Sequence, residues 1–350
     1  MKKKYNRVID VIIPAYNVED KILARCLASI ACQEIADELE VTIVDDASTV
    51  QNYQAVADKF KHMLKINIVR YETNGGPGVA RQYGIDHTSN GYMTFIDADD
   101  TFNGSLALKA LRNGIEMGNG IFQMCVGVFD EIHEFDQNAE GLLLMPHEQD
   151  LVWMFGKLYK REYIDRYNIR FHPTSRANED NGFNRLCQLC SSEMEQINFI
   201  PAHVYYWHES PNSITRANDC QYSFGGSERD SFYGYVENMI YAIKEAKRRK
   251  PYNGFITMWA VGCMVNIYEY YIECVSRAPE HADNNFKWCK RYYDEVYRDL
   301  EEDISDEILA QHYNEVMRNA YMGDKLNGII PCMGIFEFLD KLKQDITNEE

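Results

Sequence analysis

The stretch from Arg7 to Ile13 (RVIDVII) is largely β-branched and apolar, and Pro14 closes it, which predicts a buried strand. Apolar residues then return at helical spacing from Val18 to Ile35, with Ile22, Leu23, Cys26, Leu27 and Ile30 on one face. A short strand, Val41 to Val44, runs into Asp45 and Asp46. Asn52 to Met63 reads as a helix and Lys65 to Tyr71 as a strand. The loop Asn74-Gly75-Gly76-Pro77 starts a helix over Gly78 to His87, and the strand Tyr92 to Ile96 runs into Asp97-Ala98-Asp99-Asp100. A helix over Ser105 to Met117 and a strand over Gly120 to Phe129 extend the alternation, and a strand-like VYYW lies between Phe199 and Thr215. Strands alternating with helices predict an α/β fold with parallel βαβ units, whose function sits at the C-terminal ends of the strands.

After about Asn218 the pattern changes. Ser227 to Arg249, Ile256 to Arg277, Asn285 to Glu302 and Asp306 to Met322 all have helical spacing, and strands disappear. The expected organisation is an α/β domain over residues 1–217 and a helical domain over residues 218–350. The uncharged stretch Pro251 to Tyr268 contains Pro251, Asn253, Gly254 and Asn266, so it predicts a core helix, with no transmembrane segment.

Composition narrows the class. Hydrophobic residues make up 45% and charged residues 26% of the 350, which excludes wholesale disorder. There are 36 basic and 54 acidic residues, a net charge of −18, so the overall basic footprint of a nucleic-acid-binding protein is missing. The basic runs Lys2 to Lys4 and Lys247 to Lys250 read as solvated segments. The ten cysteines are diluted among apolar neighbours, and Cys187-x-x-Cys190 stands alone within a helical pattern, which predicts structural thiols. The first apolar stretch is a strand, not a signal peptide. The expected location is cytoplasmic, with peripheral attachment at the inner membrane face left open.

The strand ends carry the candidate chemistry. Parallel strands bring Pro14 to Asn17, Asp45 to Ser48, Asn74 to Gly76 and Asp97 to Asp99 to one rim. Acidic strand ends repel a phosphate, and a divalent cation between them solves that problem. Mn²⁺ or Mg²⁺ typically bridges one or two carboxylates to substrate phosphates. In extended chain, Asp97 and Asp99 point the same way.

Together these segments resemble glycosyltransferase family 2, inverting nucleotide-sugar transferases with a GT-A fold. The resemblance lies in Val11 to Asn17 (VIIPAYN), Ile43 to Ser48 (IVDDAS), Asn74, Gly76, Ala80 and Arg81, Phe95 to Asp100 (FIDADD), Gly156 to Tyr159 (GKLY) and Asn178-Glu179-Asp180. It covers about residues 6–217 and leaves the helical tail outside. It implies a Rossmann-like sheet with helices on both faces. Pro14, Ala15 and Tyr16 would lie along the nucleoside, and Asp45 would accept from uracil N3–H, favouring a UDP donor. Asp46 would help, and Gly76 and Arg81 would sit near the base or diphosphate. Asp97 and Asp99 would hold the metal, Asp97 nearer the ribose of the nucleotide and Asp99 the firmer ligand, with His208 a third ligand or diphosphate contact. Asp180 would be the catalytic base, with Glu179 beside it.

Structural alternatives stand beside these roles. Asp46 and Asp100 suit capping or turns, Arg81 an acidic neighbour, Glu179 a pair with Arg176, and His208 a structural histidine followed by Ser213-Ile214-Thr215. Trp153 suits either the acceptor pocket or the core. The implied partners are a nucleotide sugar and a hydroxyl acceptor in glycan or cell-surface polysaccharide synthesis. The acceptor stays open among polysaccharide, lipid-linked glycan, teichoic-acid-type polymer, protein and modified nucleobase. Polyanions are disfavoured unless Lys157, Lys160, Arg161 and Arg176 cluster. The aromatic-rich helical segment suits acceptor binding or homo-oligomer formation. Two other classes compete: a nucleotidyltransferase, against which the absence of Lys or Arg between Pro14 and Asp20 argues, and a nucleotide-sugar-binding module without turnover, against which Asp97, Asp99 and Asp180 argue.

Overall fold

Every second residue of the first strand, β1 (Ile9–Ala15), faces one layer of helices, and the residues between them face the other. Ile9, Val11, Ile13 and Ala15 pack with Leu23, Cys26, Leu27 and Ile30 of α1 (Asp20–Ala31) and with Leu108, Leu111 and Ile115 of α4 (Ala107–Glu116). On the opposite face Ile12 meets Gly84 of α3 (Pro77–Asp86). A strand covered on both faces is largely apolar, which is why β1 reads as a near-continuous run; its one charged residue, Asp10, is buried and accepts from Asn90 N–H at 2.9 Å and Asn90 Nδ2 at 2.7 Å. The computed structural model describes residues 5–133, 143–147, 151–191, 197–209, 224–225, 230–249, 254–317 and 329–349.

β1 pairs in parallel with β2 (Leu39–Asp45) and β4 (Tyr92–Phe95), and β2 pairs in parallel with β3 (Lys65–Arg70). The register sets Ala15 level with Asp45. A short helix α2 (Gln54–Phe60) lies between β2 and β3 in the chain. The strand does not stop at Pro14 as the sequence predicts but runs through it to Ala15. Pairing with β4 ends at Ile12, so β1 is an edge on that side and the missing proline N–H breaks no ladder there.

Beyond β4 the sheet turns mixed. Its order is β3-β2-β1-β4-β8-β6-β9-β5, with β7 (Leu143–His147) paired to β6 (Met124–His133). β8 (Lys157–Lys160) is antiparallel to β4 and β6, whereas β9 (Ile197–His208) is parallel to β6. β5 (Thr101–Phe102) is antiparallel to β9. Two more helices, α5 (Arg161–Arg166) and α6 (Glu179–Cys190), follow β8.

The chain divides into two compact units, residues 1–213 and 214–350. The boundary expected at residues 217 and 218 lies outside the described residues, as does Ser213-Ile214-Thr215. The second unit is helical: Ser231–Arg249, Gly254–Arg277, Ala282–Tyr292, Asp306–Met317 and Ile335–Glu349. The segment expected as one helix from Asn285 to Glu302 instead passes from α-helix through a π turn, Tyr293–Tyr297, into a 3₁₀ turn, Arg298–Asp303. The terminal helix was not anticipated, although Ile335, Phe338, Leu339 and Leu342 have helical spacing and are all buried. Phe338 packs with Tyr268, Tyr271 and Phe286. Among the described residues no helix is long and apolar enough to cross a membrane, and the described cysteines are free, with Cys187 and Cys190 buried.

Two glycines test this packing. A Cβ on Gly84 would lie 2.4 Å from Ile12 Cγ2 and 3.2 Å from Val44 Cγ2. Gly84→Ala should therefore destabilise the fold by about 1–3 kcal/mol through overpacking. In the helix Gly254–Arg277 a Cβ on Gly262 meets nothing within 4 Å, so Gly262→Ala should stabilise by about 0.5–1 kcal/mol. Thermal unfolding of the two variants against wild type checks both signs.

Candidate functional site

Three turns leave the parallel strands along one rim. After β1, Asn17 adopts a left-handed conformation (φ 51°), and after β2 Ala47 does the same (φ 58°). The two turns are laced together: Asn17 N–H donates to Ser48 Oγ at 2.9 Å, and Asn17 Oδ1 accepts from Thr49 N–H at 2.9 Å. Tyr16, 48% exposed, stands at this rim with Pro14 and Ala15 behind it. Asp45 is buried, accepts the Ser48 N–H at 2.8 Å, and forms an ion pair with Arg70, which also donates to Ser48 O at 2.9 Å.

Asp46 turns the other way. Its carboxylate accepts from Gly75 N–H at 2.7 Å, Gly76 N–H at 2.8 Å and Asn74 Nδ2 at 3.0 Å. It thus anchors the glycine loop ahead of α3, the turn role that the sequence left open. Gly76 has φ 87°, a conformation that favours glycine, and Arg176 lies over it while donating to Asn74 Oδ1 at 2.9 Å.

The loop after β4 is a turn, not the extended chain expected from the sequence: Asp100 N–H donates to Asp97 O at 3.0 Å, and the turn leaves Asp97 and Asp99 partly accessible while Ala98 and Asp100 are buried. Burial and the neighbouring Asp97 push the Asp99 carboxyl up to about 6. Asp100 accepts the Tyr205 hydroxyl at 2.7 Å and the His208 N–H at 2.8 Å, and the same Tyr205 oxygen accepts the Asp97 N–H at 3.2 Å. Arg25 of α1 donates to Asp99 O at 2.5 Å. His208 Nε2 lies 2.9 Å from Thr101 Oγ1. Among the described residues no group of three or more His, Cys, Asp or Glu side chains is arranged to hold a metal, so His208 is not gathered with Asp97 and Asp99 into one cluster.

Arg81 of α3 joins this loop to the start of α6. It is 4% exposed and donates to Asp97 Oδ1 at 2.7 Å and to Glu179 Oε1 at 2.8 Å. Burial alone would lower its pKa, but the two carboxylates outweigh burial and hold it above the ordinary value. Glu179 therefore pairs with Arg81 and not with Arg176, which is committed to Asn74. A Cβ on Gly78 would sit 2.8 Å from Glu179 Cγ, so α3 approaches α6 at a bare glycine. Asp180, next in α6, accepts the Asn181 N–H at 2.7 Å. Burial first, and then the negative Glu179, push its carboxyl up to about 7. That is close to the optimum for a base working near neutral pH.

The profile "Glycosyl transferase family 2" matches residues 10–175. Residues 10–175 belong to glycosyl transferase family 2. The uncharacterized glycosyltransferase EpsJ of Bacillus subtilis (strain 168) is 26% identical over 223 residues, 59% of this chain and 63% of that protein. The poly(ribitol-phosphate) beta-glucosyltransferase of Bacillus spizizenii is 26% identical over 244 residues, 67% of this chain and 37% of that protein. The chain thus spans less than two thirds of the length of either relative. Among solved structures, S. aureus TarS superposes with a TM-score of 0.61 at 18% identity, covering 91% of this chain and 53% of that one. TarS 1-349 in complex with UDP-GlcNAc gives 0.56 at 18%, covering 92% and 82%. The fold is GT-A, with a helical C-terminal region.

Within this family 2 domain, several contributors escaped the sequence reading. Arg70, Arg25 and Tyr205 each brace a rim loop, but nothing in a single sequence links residues so far apart. The basic residues Lys157, Lys160 and Arg161 form no surface cluster with Arg176. Lys157 is fully buried and donates to Phe155 O at 3.1 Å, while Arg161 is buried on Ile85 O at 2.9 Å. Lys160 donates to Gly120 O at 3.1 Å.

Removing Arg81 should be costly because it leaves Glu179 buried without its cation. Arg81→Met is expected to lose about 3–5 kcal/mol of stability, the usual cost of breaking a buried pair. Arg81→Lys keeps the charge but not the fork, and should lose less. Urea unfolding measures both, and a loss below about 1 kcal/mol for Arg81→Met would contradict the bridge described here.

Proposed function

We propose that this chain is an inverting glycosyltransferase that moves a hexosyl or N-acetylhexosaminyl group from a UDP-sugar to a hydroxyl of a glycan or cell-surface polysaccharide. The observation that carries this reading is the Arg81 bridge. One buried guanidinium holds both the Asp97 loop and the first turn of α6, so the candidate donor carboxylates and Asp180 are fixed relative to each other. The UDP-GlcNAc complex of TarS and the glucosyltransferase relative support the donor class. Residues 1–217 would do the chemistry, and residues 218–350 would serve the acceptor or self-association.

Tyr16 and Asp45 would take the nucleoside, with Asp45 using a lone pair not engaged by Arg70 or Ser48. Asp97 and Asp99 fit a divalent ion: two partly accessible carboxylates, crowded enough to raise the Asp99 pKa, suit an ion that completes its shell with phosphate oxygens. Bound there, Mn²⁺ or Mg²⁺ would offset charge on the departing diphosphate. Asp180 would accept the proton of the acceptor hydroxyl as its oxygen attacks the anomeric carbon from the face opposite the leaving group.

Asp180→Asn keeps the shape and removes the base. Transfer should fall by about 10²- to 10⁴-fold while UDP affinity stays near wild type. In wild type, kcat/KM should fall about tenfold per pH unit below about pH 7, because the base must be deprotonated, and this acid limb should vanish in the variant. Initial rates between about pH 5 and 9 decide the matter. Normal transfer by Asp180→Asn would remove this residue from the mechanism.

The metal has its own test. Excess EDTA should abolish transfer from UDP-GlcNAc, and added Mn²⁺ or Mg²⁺ should restore it. Undiminished turnover in chelator would make the Asp97–Asp99 pair a structural turn.

A further inference from the structure

Asn181 follows Asp180 on α6, is 6% exposed, and its Oδ1 has no hydrogen-bond partner among the described residues. A buried acceptor left without a donor costs about 1–3 kcal/mol, so the oxygen calls for a donor brought from outside. One turn further along the same helix face, Asn184 accepts the Tyr159 hydroxyl at 2.6 Å and donates to Val152 O at 3.2 Å and Trp153 O at 2.8 Å. Those bonds seat the Trp153 turn against this face of α6.

The indole itself is held from behind. Trp153 is 37% exposed and lies nearly parallel to Phe155, with centroids 6.0 Å apart and planes 4° apart. Phe155 in turn stacks on Tyr205 at 5.0 Å and 19°, and Tyr205 is the residue that braces the Asp97 loop. Trp153 is therefore tied by its backbone to α6 and by its ring to the acidic loop, with part of the ring in solvent.

We propose that Trp153 and Asn181 form an acceptor subsite for an uncharged sugar ring. The indole would take the apolar C–H face of the ring, and Asn181 Oδ1 would accept from one of its hydroxyls, beside the hydroxyl that Asp180 deprotonates. This rests on the glycosyltransferase reading above and names its acceptor class. Charge favours a neutral ring over a polyol phosphate. Lys157 and Arg161 are buried on backbone carbonyls, Arg81 and Arg176 are committed within the protein, and the chain carries a net charge of −18.

Saturation-transfer NMR on the full chain with UDP present tests this, using cellotetraose and chitotetraose as neutral probes and a ribitol-phosphate oligomer as the charged one. At least one neutral tetrasaccharide should bind. Trp153→Leu and Asn181→Ala should each weaken it about tenfold, the scale of one lost stacking or hydrogen-bond contact. Trp153→Phe should weaken it less, and UDP affinity should not move in any variant. Binding of neither neutral probe, equal binding by wild type and both variants, or a salt-sensitive preference for the ribitol phosphate would each overturn the subsite. Failure of the wild-type chain to bind UDP, or normal transfer by Asp180→Asn, would overturn the glycosyltransferase reading itself.

Discussion

A guanidinium taken out of water loses several kcal/mol of solvation unless carboxylates meet it. Arg81 is met by two, Asp97 from the loop after β4 and Glu179 from the start of α6. Moving either partner away removes one of the two carboxylates that compensate the cation, so one buried charge couples two segments that, among the described residues, share no backbone hydrogen bond. The same cluster explains the raised Asp180 carboxyl. Burial and Glu179 together outweigh the help that Arg81 gives it. Arg81 thus holds the rim together and leaves the neighbouring carboxyl poised to titrate near neutral pH.

The parallel half of the sheet was legible because burial on both faces leaves a pattern in the sequence itself. β1, β2 and β4 each appear as an apolar run ending in polar residues, and the rim they share follows from their direction. In the mixed half, parts of β6 and β9 were legible as strands, but the direction and order of the strands were not. β8 has four residues and pairs with β4 and β6, and a strand that short carries too little periodicity to reveal its direction. Pro14 misled as a strand terminator because its tolerance depends on where β4 stops pairing.

The site divides along the same line. Asp97, Asp99, Arg81, Glu179 and Asp180 announced themselves through local motifs, whereas their partners did not. Glu179 meets a residue 98 positions away, Asp100 meets Tyr205 at a separation of 105, and Asp46 reaches the glycine loop. Motifs mark residue types at fixed local spacing, and a tertiary pairing leaves no trace at that range. Lys157 and Arg161 show the opposite error. Counted as surface charge they suggest a basic patch, but both sit inside the fold, where long stems pack and the cationic ends cap carbonyls.

Three residues other than glycine take left-handed conformations around this rim: Asn17, Ala47 and Asn178. Asparagine adopts that region with modest strain, but alanine has no side chain to offset it, at roughly 1 kcal/mol. The surrounding bonds hold Ala47 there. Asp46 N–H donates to Ala15 O at 2.9 Å on one side, and Ser48 N–H reaches Asp45 at 2.8 Å on the other. Such strain persists only where neighbours over-determine it. Its effect here is that the turn beside Asp45 is shaped by the protein's own hydrogen bonds before any ligand arrives. A rim built in advance spends little of a ligand's binding energy on ordering loops.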